Sequence, residues 1–247
     1  MSQVLEGEMI YDLQCKGLNI IQDKKGYCFT TDSVLLANFV KMKSKDKACE
    51  FCSGSGVISV LASAKNNFKS IDLVELQPRL ADMSKRSIEL NKLEDKLVVY
   101  NMPFQEFAKQ NPEKYDVLFS NPPYISSAGA DKNLSEEIRI ARHEIAMNMQ
   151  DFAMSISKTL KYGGKFFIVH KAERFDEIML SFAKYNLAIK NVIFCHPKDD
   201  KNASFVLFEG LKGGKNGLKV LPSLILNNQD GEISARVRAI YNAGEKL

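Results

Sequence analysis

Apolar and polar positions change period several times along this chain, and the changes mark its elements. Two apolar-rich runs, Met9–Gln14 and Leu18–Gln22, flank Cys15-Lys16-Gly17, a turn ending in glycine, and predict a small hairpin. Phe29-Thr30-Thr31-Asp32-Ser33 is rich in helix-capping residues and opens a helix with an apolar stripe of Leu35, Leu36, Phe39 and Val40. The lysines of Lys41–Lys47 end that helix on a solvated charge run. From there strand-like and helix-like periods alternate. Ala48–Cys52 reads as strand and Val57–Ala64 as helix. Ser70–Leu76 reads as strand, followed by a helix with Pro78 at its start and Leu80, Met83, Ile88 and Leu90 on its apolar side. Leu97–Tyr100, Tyr115–Ser120 and Lys165–His170 read as strands, the last after a Gly163-Gly164 turn, and Glu173–Lys184 reads as helix. Successive β–α units predict an α/β fold, a parallel sheet with helices on both faces. The end departs from this rhythm. Ile189–Cys195 and Ser204–Glu209, separated by polar residues, predict an antiparallel pair at the sheet edge.

Composition narrows the class. With 45% apolar and 26% charged residues, disorder and fibrous repeats are excluded. A length of 247 residues fits one large domain, with residues 1–47 a hairpin and helix belonging to the same unit as 48–247. The uncharged stretch Phe51–Ala64, which no other uncharged run exceeds in length, carries four serines and falls short of the roughly 18 apolar residues of a membrane span. Met1–Glu8 lacks the basic head and apolar run of a signal peptide. Five cysteines, an odd and sparse set, fit a reducing cytoplasm. A net charge of +4 permits a polyanionic partner without demanding one.

The candidate chemistry lies in two places. After the Ala48–Cys52 strand comes Cys52-Ser53-Gly54-Ser55-Gly56, then a helix. Such glycines bring backbone N–H groups and a helix N-terminus close to a ligand. Glu50 sits near the end of the first strand, and Glu75 ends the second, 19 residues after Gly56, where a carboxylate accepts both hydroxyls of a ribose. The loop is also close to the dinucleotide fingerprint, with Ser59 in its third glycine position, so a nicotinamide cofactor and S-adenosylmethionine both fit it. The second place is Asn121-Pro122-Pro123-Tyr124, directly after the apolar strand Tyr115–Ser120. Open α/β sheets bind ligands beyond the carboxyl ends of their strands, which puts Asn121 beside the nucleoside cradle. A planar amine such as adenine N6 is a poor nucleophile because its lone pair is delocalised. The Asn121 side-chain oxygen and the Pro122 carbonyl can take its two hydrogens, and the prolines stiffen the loop. Tyr124 can stack on a planar substrate.

With these motifs the chain resembles the class I S-adenosylmethionine-dependent methyltransferases that act on amines. Within them it resembles the bacterial tRNA adenine-N6 methyltransferases that modify a valine tRNA beside its anticodon. The likeness covers nearly the whole chain. It includes Thr30-Thr31-Asp32-Ser33-Val34-Leu35-Leu36-Ala37, the Gly54/Gly56 loop, Glu75-Leu76-Gln77, Asn121–Tyr124, Ala141-Arg142-His143-Glu144 and the late run Glu209–Lys215. The resemblance implies a Rossmann-like seven-stranded sheet, mostly parallel with an antiparallel C-terminal strand, and S-adenosylmethionine as cofactor. It implies Thr31 and Asp32 near the methionine end, Glu50, Ser53, Gly54 and Gly56 in the cofactor loop, Glu75 on the ribose, and Asn121, Pro122, Pro123 and Tyr124 at the target nitrogen. Two positions depart from the pattern. Cys52 stands where the loop's first glycine is usual. Asn101-Met102-Pro103 lacks the aspartate that usually holds the adenine amine, so Asn101 substitutes or the contact is lost.

A tRNA partner requires phosphate contacts. Residues 190–219 carry six lysines against three acids, and Lys212 and Lys215 are candidates there, with Arg139 and Arg142 after the Asn-Pro-Pro-Tyr loop. An ordinary solvated surface, or a pairing of these arginines with Glu136, explains the same residues. Cys49-x-x-Cys52 has no second pair near it, the histidines lack ligand spacing, and no metal is expected. Rival readings are a protein glutamine N5-methyltransferase, a DNA adenine methyltransferase, a NAD(P)-dependent oxidoreductase and a non-catalytic RNA-binding module. The first needs a longer helical front domain than 1–47 offers. The oxidoreductase leaves Asn121–Tyr124 without a task.

Overall fold

The computed structural model describes residues 4–24, 29–123 and 148–243. Strands β1 (Glu8–Asp12) and β2 (Asn19–Asp23) form the expected antiparallel hairpin. Helix α1 (Thr31–Phe39) follows. Then come β3 (Lys47–Phe51), α2 (Val57–Lys65), β4 (Ser70–Glu75), α3 (Pro78–Leu90), β5 (Leu97–Asn101), α4 (Phe104–Gln110) and β6 (Tyr115–Ser120). After the undescribed stretch lie α5 (Met149–Thr159), β7 (Leu160–Lys171), a short 3-10 turn, α6 (Phe175–Lys184), β8 (Leu187–His196), β9 (Phe205–Lys212), the two-residue strands β10 (Lys219–Val220) and β11 (Leu224–Ile225), and α7 (Ala235–Ala243).

The main sheet runs β8-β9-β7-β6-β3-β4-β5, with β10 and β11 added on β8. All its strands point the same way except β9, which is antiparallel to both β7 and β8. The strand order reverses between β3 and β6, which opens the crevice where such sheets take ligands. The expected antiparallel pair is present, but not simply appended to the edge: β9 inserts between β7 and β8.

Alternation along the strands divides the apolar residues between two cores. On β6, Val117 and Phe119 face one and Leu118 the other; on β7, Phe167 and Val169 face one and Phe166 and Ile168 the other. The first core lies under α1, α2 and β2, the second under α4, α5 and α6. Helix α1 departs from the striped pattern, since every residue from Asp32 to Phe39 is buried. It is clamped between α2, the sheet and α7, so its polar side has no water to face. The β7 strand is longer than the sequence suggested, and a register irregularity between Tyr115 and Val117 takes up the glycine pair. The hairpin is tied to α3 by a bidentate ion pair from Arg86 to Glu8, at 2.6 and 2.8 Å, which holds the Glu8 carboxyl below its usual range.

Candidate active site

The glycine loop is built by three backbone residues with positive φ, and glycine fills only two of those positions. Cys52 has φ +55°, Gly54 +57° and Gly56 +85°. Left-handed backbone suits glycine, so Cys52 accepts a conformational cost where the resembling family uses that residue. The turn nevertheless closes, because Ser53 N–H donates to the Val74 carbonyl at 3.1 Å and Gly56 N–H to the Ser53 carbonyl at 2.9 Å. Gly56 is required by packing as well: a Cβ there would lie 2.5 Å from Ser84 Oγ and 3.2 Å from Leu73 Cδ2. A Cβ on Gly54 would meet nothing within 4 Å, so the loop is open on that side.

Glu75 and Glu50 hold the loop from two sides. Glu75 Oε2 accepts from Gly54 N–H and Oε1 from Gln77 N–H, each at 2.8 Å. Burial raises the Glu75 carboxyl above the usual carboxylate range, and these backbone donors oppose the shift. Glu50 is fully buried. Its Oε2 accepts from the Ser59 N–H at 3.1 Å and from the Ser59 hydroxyl, so Ser59, the residue in the third glycine position, has a use of its own. Burial pushes the Glu50 carboxyl up to about 8, against the Ser59 hydrogen bonds, with Glu75 adding repulsion. Glu50 Oε1 and the Ser53 hydroxyl are both buried without a hydrogen-bond partner. Two such polar atoms beside an open loop fit a ligand carrying both charge and donors.

The second half of the site comes from β6. Ser120 Oγ donates to the Phe51 carbonyl at 2.6 Å and ties the ends of β6 and β3 across the strand reversal. Asn121 follows at once, half-buried, and its Nδ2 donates to Ser33 Oγ at 3.1 Å. The nitrogen end of the amide is thereby held against α1. Pro122 is buried and Pro123 exposed; Tyr124, Arg139 and Arg142 lie outside the described residues. The Asp32 carboxylate accepts from Ser33 N–H at 2.8 Å and from the Thr30 hydroxyl, while Thr31 hydrogen-bonds Tyr241 of α7. Asp32 and Asn121 are thus joined through Ser33, a residue of the Thr30–Ala37 motif to which the sequence reading gave no role. Tyr241 and α7 were not predicted at all, since their partners lie some two hundred residues away.

Asn101 ends β5 level with Glu75. Its Nδ2 donates to the Glu75 and Leu76 carbonyls, both at 2.9 Å, so its nitrogen braces the cradle and its oxygen is the end that can receive an adenine amine. The two cysteines of the C-x-x-C pair border the same core, because the backbone turns at Cys52. Burial raises both thiols well above their usual range. Among the described residues no group of three potential ligands is placed to hold a metal.

The lysines proposed for phosphate lie elsewhere. Lys212 is at the far end of β9, four residues beyond the level of Ser120, or about 13 Å along the strand direction. Its Nζ donates to Glu113 Oε1 and to the Leu160 carbonyl, both at 2.9 Å, and only 13% of the side chain is exposed. Lys215 is exposed near the same end, and its carbonyl accepts from Lys190 Nζ at 3.0 Å. The structure therefore does not bring either into the crevice.

Comparison with known proteins agrees with this geometry. The family model described as methyltransferase small domain matches residues 29–195. A tRNA1(Val) (adenine(37)-N6)-methyltransferase of Dyadobacter fermentans is 26% identical over 87% of this chain and 89% of its own. Proteins of the same name from Trichodesmium erythraeum (24%) and Yersinia pseudotuberculosis (26%) align over 64% and 56% of this chain and over 66% and 55% of their own. Among solved structures, a predicted O-methyltransferase of Agrobacterium tumefaciens superposes with a TM-score of 0.68 at 18% identity, covering 87% of this chain and 97% of its own. The TYW2 protein of M. jannaschii, in complex with AdoMet, gives 0.59 at 12%, covering 83% and 86%. These two likenesses are of fold.

Proposed function

The chain belongs to the methyltransferase small domain family, and from that premise we propose that it moves the methyl group of S-adenosylmethionine to N6 of an adenine in tRNA, beside the anticodon. The observation that carries this is Asn121, fixed by Ser33 at the strand reversal, on the same rim as the Gly54–Glu75 cradle. The relatives named as tRNA adenine-N6 methyltransferases support the choice of amine. Residues 1–47 act with 48–247 as one unit in this reading, since Ile20 and α1 share a core with β3, β4 and β7.

The residues present suit the cofactor. Glu75 would take the ribose hydroxyls, the Gly54–Gly56 turn with Glu50 and Ser53 the amino-acid end, and Thr31 and Asp32 the adjoining side. Asn101 Oδ1 would take the place of the missing aspartate. When bound, the cofactor supplies an electrophilic methyl group. Asn121 Oδ1 and the Pro122 carbonyl accept the two hydrogens of the substrate amine and favour a tetrahedral nitrogen whose lone pair points along the transfer line. The proton leaves after transfer, so no dedicated base is needed. Loop adenines are already unpaired, which lowers the cost of extruding the target. A cytoplasmic location goes with a tRNA substrate; among the described residues no helix is long and apolar enough to cross a membrane.

Nucleoside mass spectrometry of tRNA from cells with and without the gene tests the reading. Loss of N6-methyladenosine, restored by purified protein with S-adenosylmethionine, is the expected result. Methyl transfer to a peptide glutamine instead of tRNA would overturn the substrate and leave the role of Asn121 standing.

A further inference from the structure

The end of the sheet remote from the crevice carries a continuous groove. Its lining comes from the hairpin turn, the α1–β3 loop, the end of α2 and the segment before β5, in two adjoining hollows of about 350 and 500 Å³. Every charged residue of the lining is a lysine: Lys16, Lys43, Lys65 and Lys96. In a chain whose net charge is only +4, that puts four cations and no acid on the lining of one groove.

None of these lysines pairs with a carboxylate among the described residues. Lys16 donates to the Ala64 carbonyl, and Lys65 to Asn38 Oδ1 and the Ile240 carbonyl. Lys96 lies 5.5 Å from the centre of the Phe68 ring. Carbonyl and ring partners orient an ammonium without cancelling its charge. The nearby Asp46 turns its carboxylate onto the Lys43 N–H at 2.8 Å. Burial, with Lys16 close by, holds the Lys65 ammonium below its usual range. The second hollow also has apolar walls from Leu18, Phe68 and Leu93. Positive charge beside apolar walls is the surface that follows a nucleic-acid strand, with phosphates on the ammonium groups and sugars or bases on the apolar side.

The hairpin links this groove to the crevice. Lys16 is at its turn, and Gln22, at the other end of β2, donates to Ser55 Oγ of the glycine loop at 3.2 Å. The height of β3 between the two ends, Lys47 to Phe51, is about 13 Å, or roughly four stacked nucleotides at 3.4 Å each. We propose that this groove binds the phosphate backbone of the RNA substrate, in the stretch next to the nucleotide held in the crevice. The proposal rests on the tRNA reading above and adds a surface that neither the motifs nor the family likeness assigns.

The test uses the full chain and a labelled tRNA transcript. Lys43→Ala/Lys96→Ala removes two exposed charges that carry no backbone hydrogen bond. Each lost phosphate contact flattens the log–log dependence of affinity on salt by 0.7–0.9, so the pair should flatten it by about 1.5. KM for tRNA should rise while kcat at saturation and the affinity for S-adenosylmethionine stay as in the wild type. Lys43→Arg/Lys96→Arg should restore the slope. A double-alanine variant with wild-type slope and KM overturns the proposal. So does a groove that loses an acidic peptide, such as poly-glutamate, while tRNA binding is unchanged. If the wild-type protein methylates a peptide glutamine and not tRNA, the functional reading fails on its own, separately from the groove.

Discussion

At the scale of single residues, the proposed function assigns binding to Glu75 and chemistry to Asn121. Glu75→Ala removes the acceptor of Gly54 and Gln77 N–H as well as the proposed ribose partner. Cofactor affinity should fall about 10- to 150-fold by calorimetry, the worth of a charge-assisted hydrogen bond, and melting should drop with it. Asn121→Ala should do the reverse: affinity for the cofactor within a few-fold, kcat lower by at least about 10²-fold in single-turnover assays. Near-normal turnover would end the claim that Asn121 orients the amine. Glu50 makes a third case. Its folded carboxyl titrates near 8 against an ordinary 4.5, so the fold favours the protonated form. That contribution is complete below about pH 4.5 and is lost as pH rises through 8. Glu50→Gln is neutral throughout, so its melting temperature should gain on the wild type between pH 6 and 9, in the absence of cofactor. Parallel melting profiles would show that Glu50 is already ionised.

At the scale of elements, the loop between β3 and α2 depends on α3 behind it. Gly56→Ala places a methyl group against Ser84 Oγ and Leu73 at a φ that L-residues rarely adopt. A destabilisation of about 1–3 kcal/mol is expected in urea unfolding, with weaker cofactor binding. A variant as stable as the wild type would mean that α3 yields at no cost. The glycine spacing was legible in the sequence because it is local: five consecutive residues set the turn. What α3 contributes to it was not, because Ser84 approaches from 28 positions away. Helix α1 shows the same limit. Its caps and apolar residues marked its position, but burial on all sides comes from α2, the sheet and α7 closing around it.

At the scale of the whole molecule, charge placement decides more than charge count. The lysine-rich run near the C-terminus suggested a phosphate surface, yet Lys212 is committed to Glu113 and the Leu160 carbonyl. Lys212→Ala should therefore cost about 1 kcal/mol of stability and leave the salt dependence of tRNA binding unchanged. A flattened slope in that variant would return the C-terminal run to the RNA surface.

The sequence by itself determined the hairpin, the strands β3 to β9 with the helices α1, α2, α3 and α6, the glycine turn, the position of Glu75 at the end of β4 and the Asn121–Pro123 rim. Each of these is written in contiguous residues or in a period that repeats within one element. Only the tertiary structure decided the rest. It inserted β9 between β7 and β8, turned Cys52 into left-handed backbone, set Ser33 against Asn121 and gathered four lysines from four separate segments into one groove. These outcomes depend on which distant surfaces bury one another and which polar groups they leave to be satisfied. Local pattern does not encode that, because the same lysine is a structural ion pair or an open charge according to what the fold brings beside it.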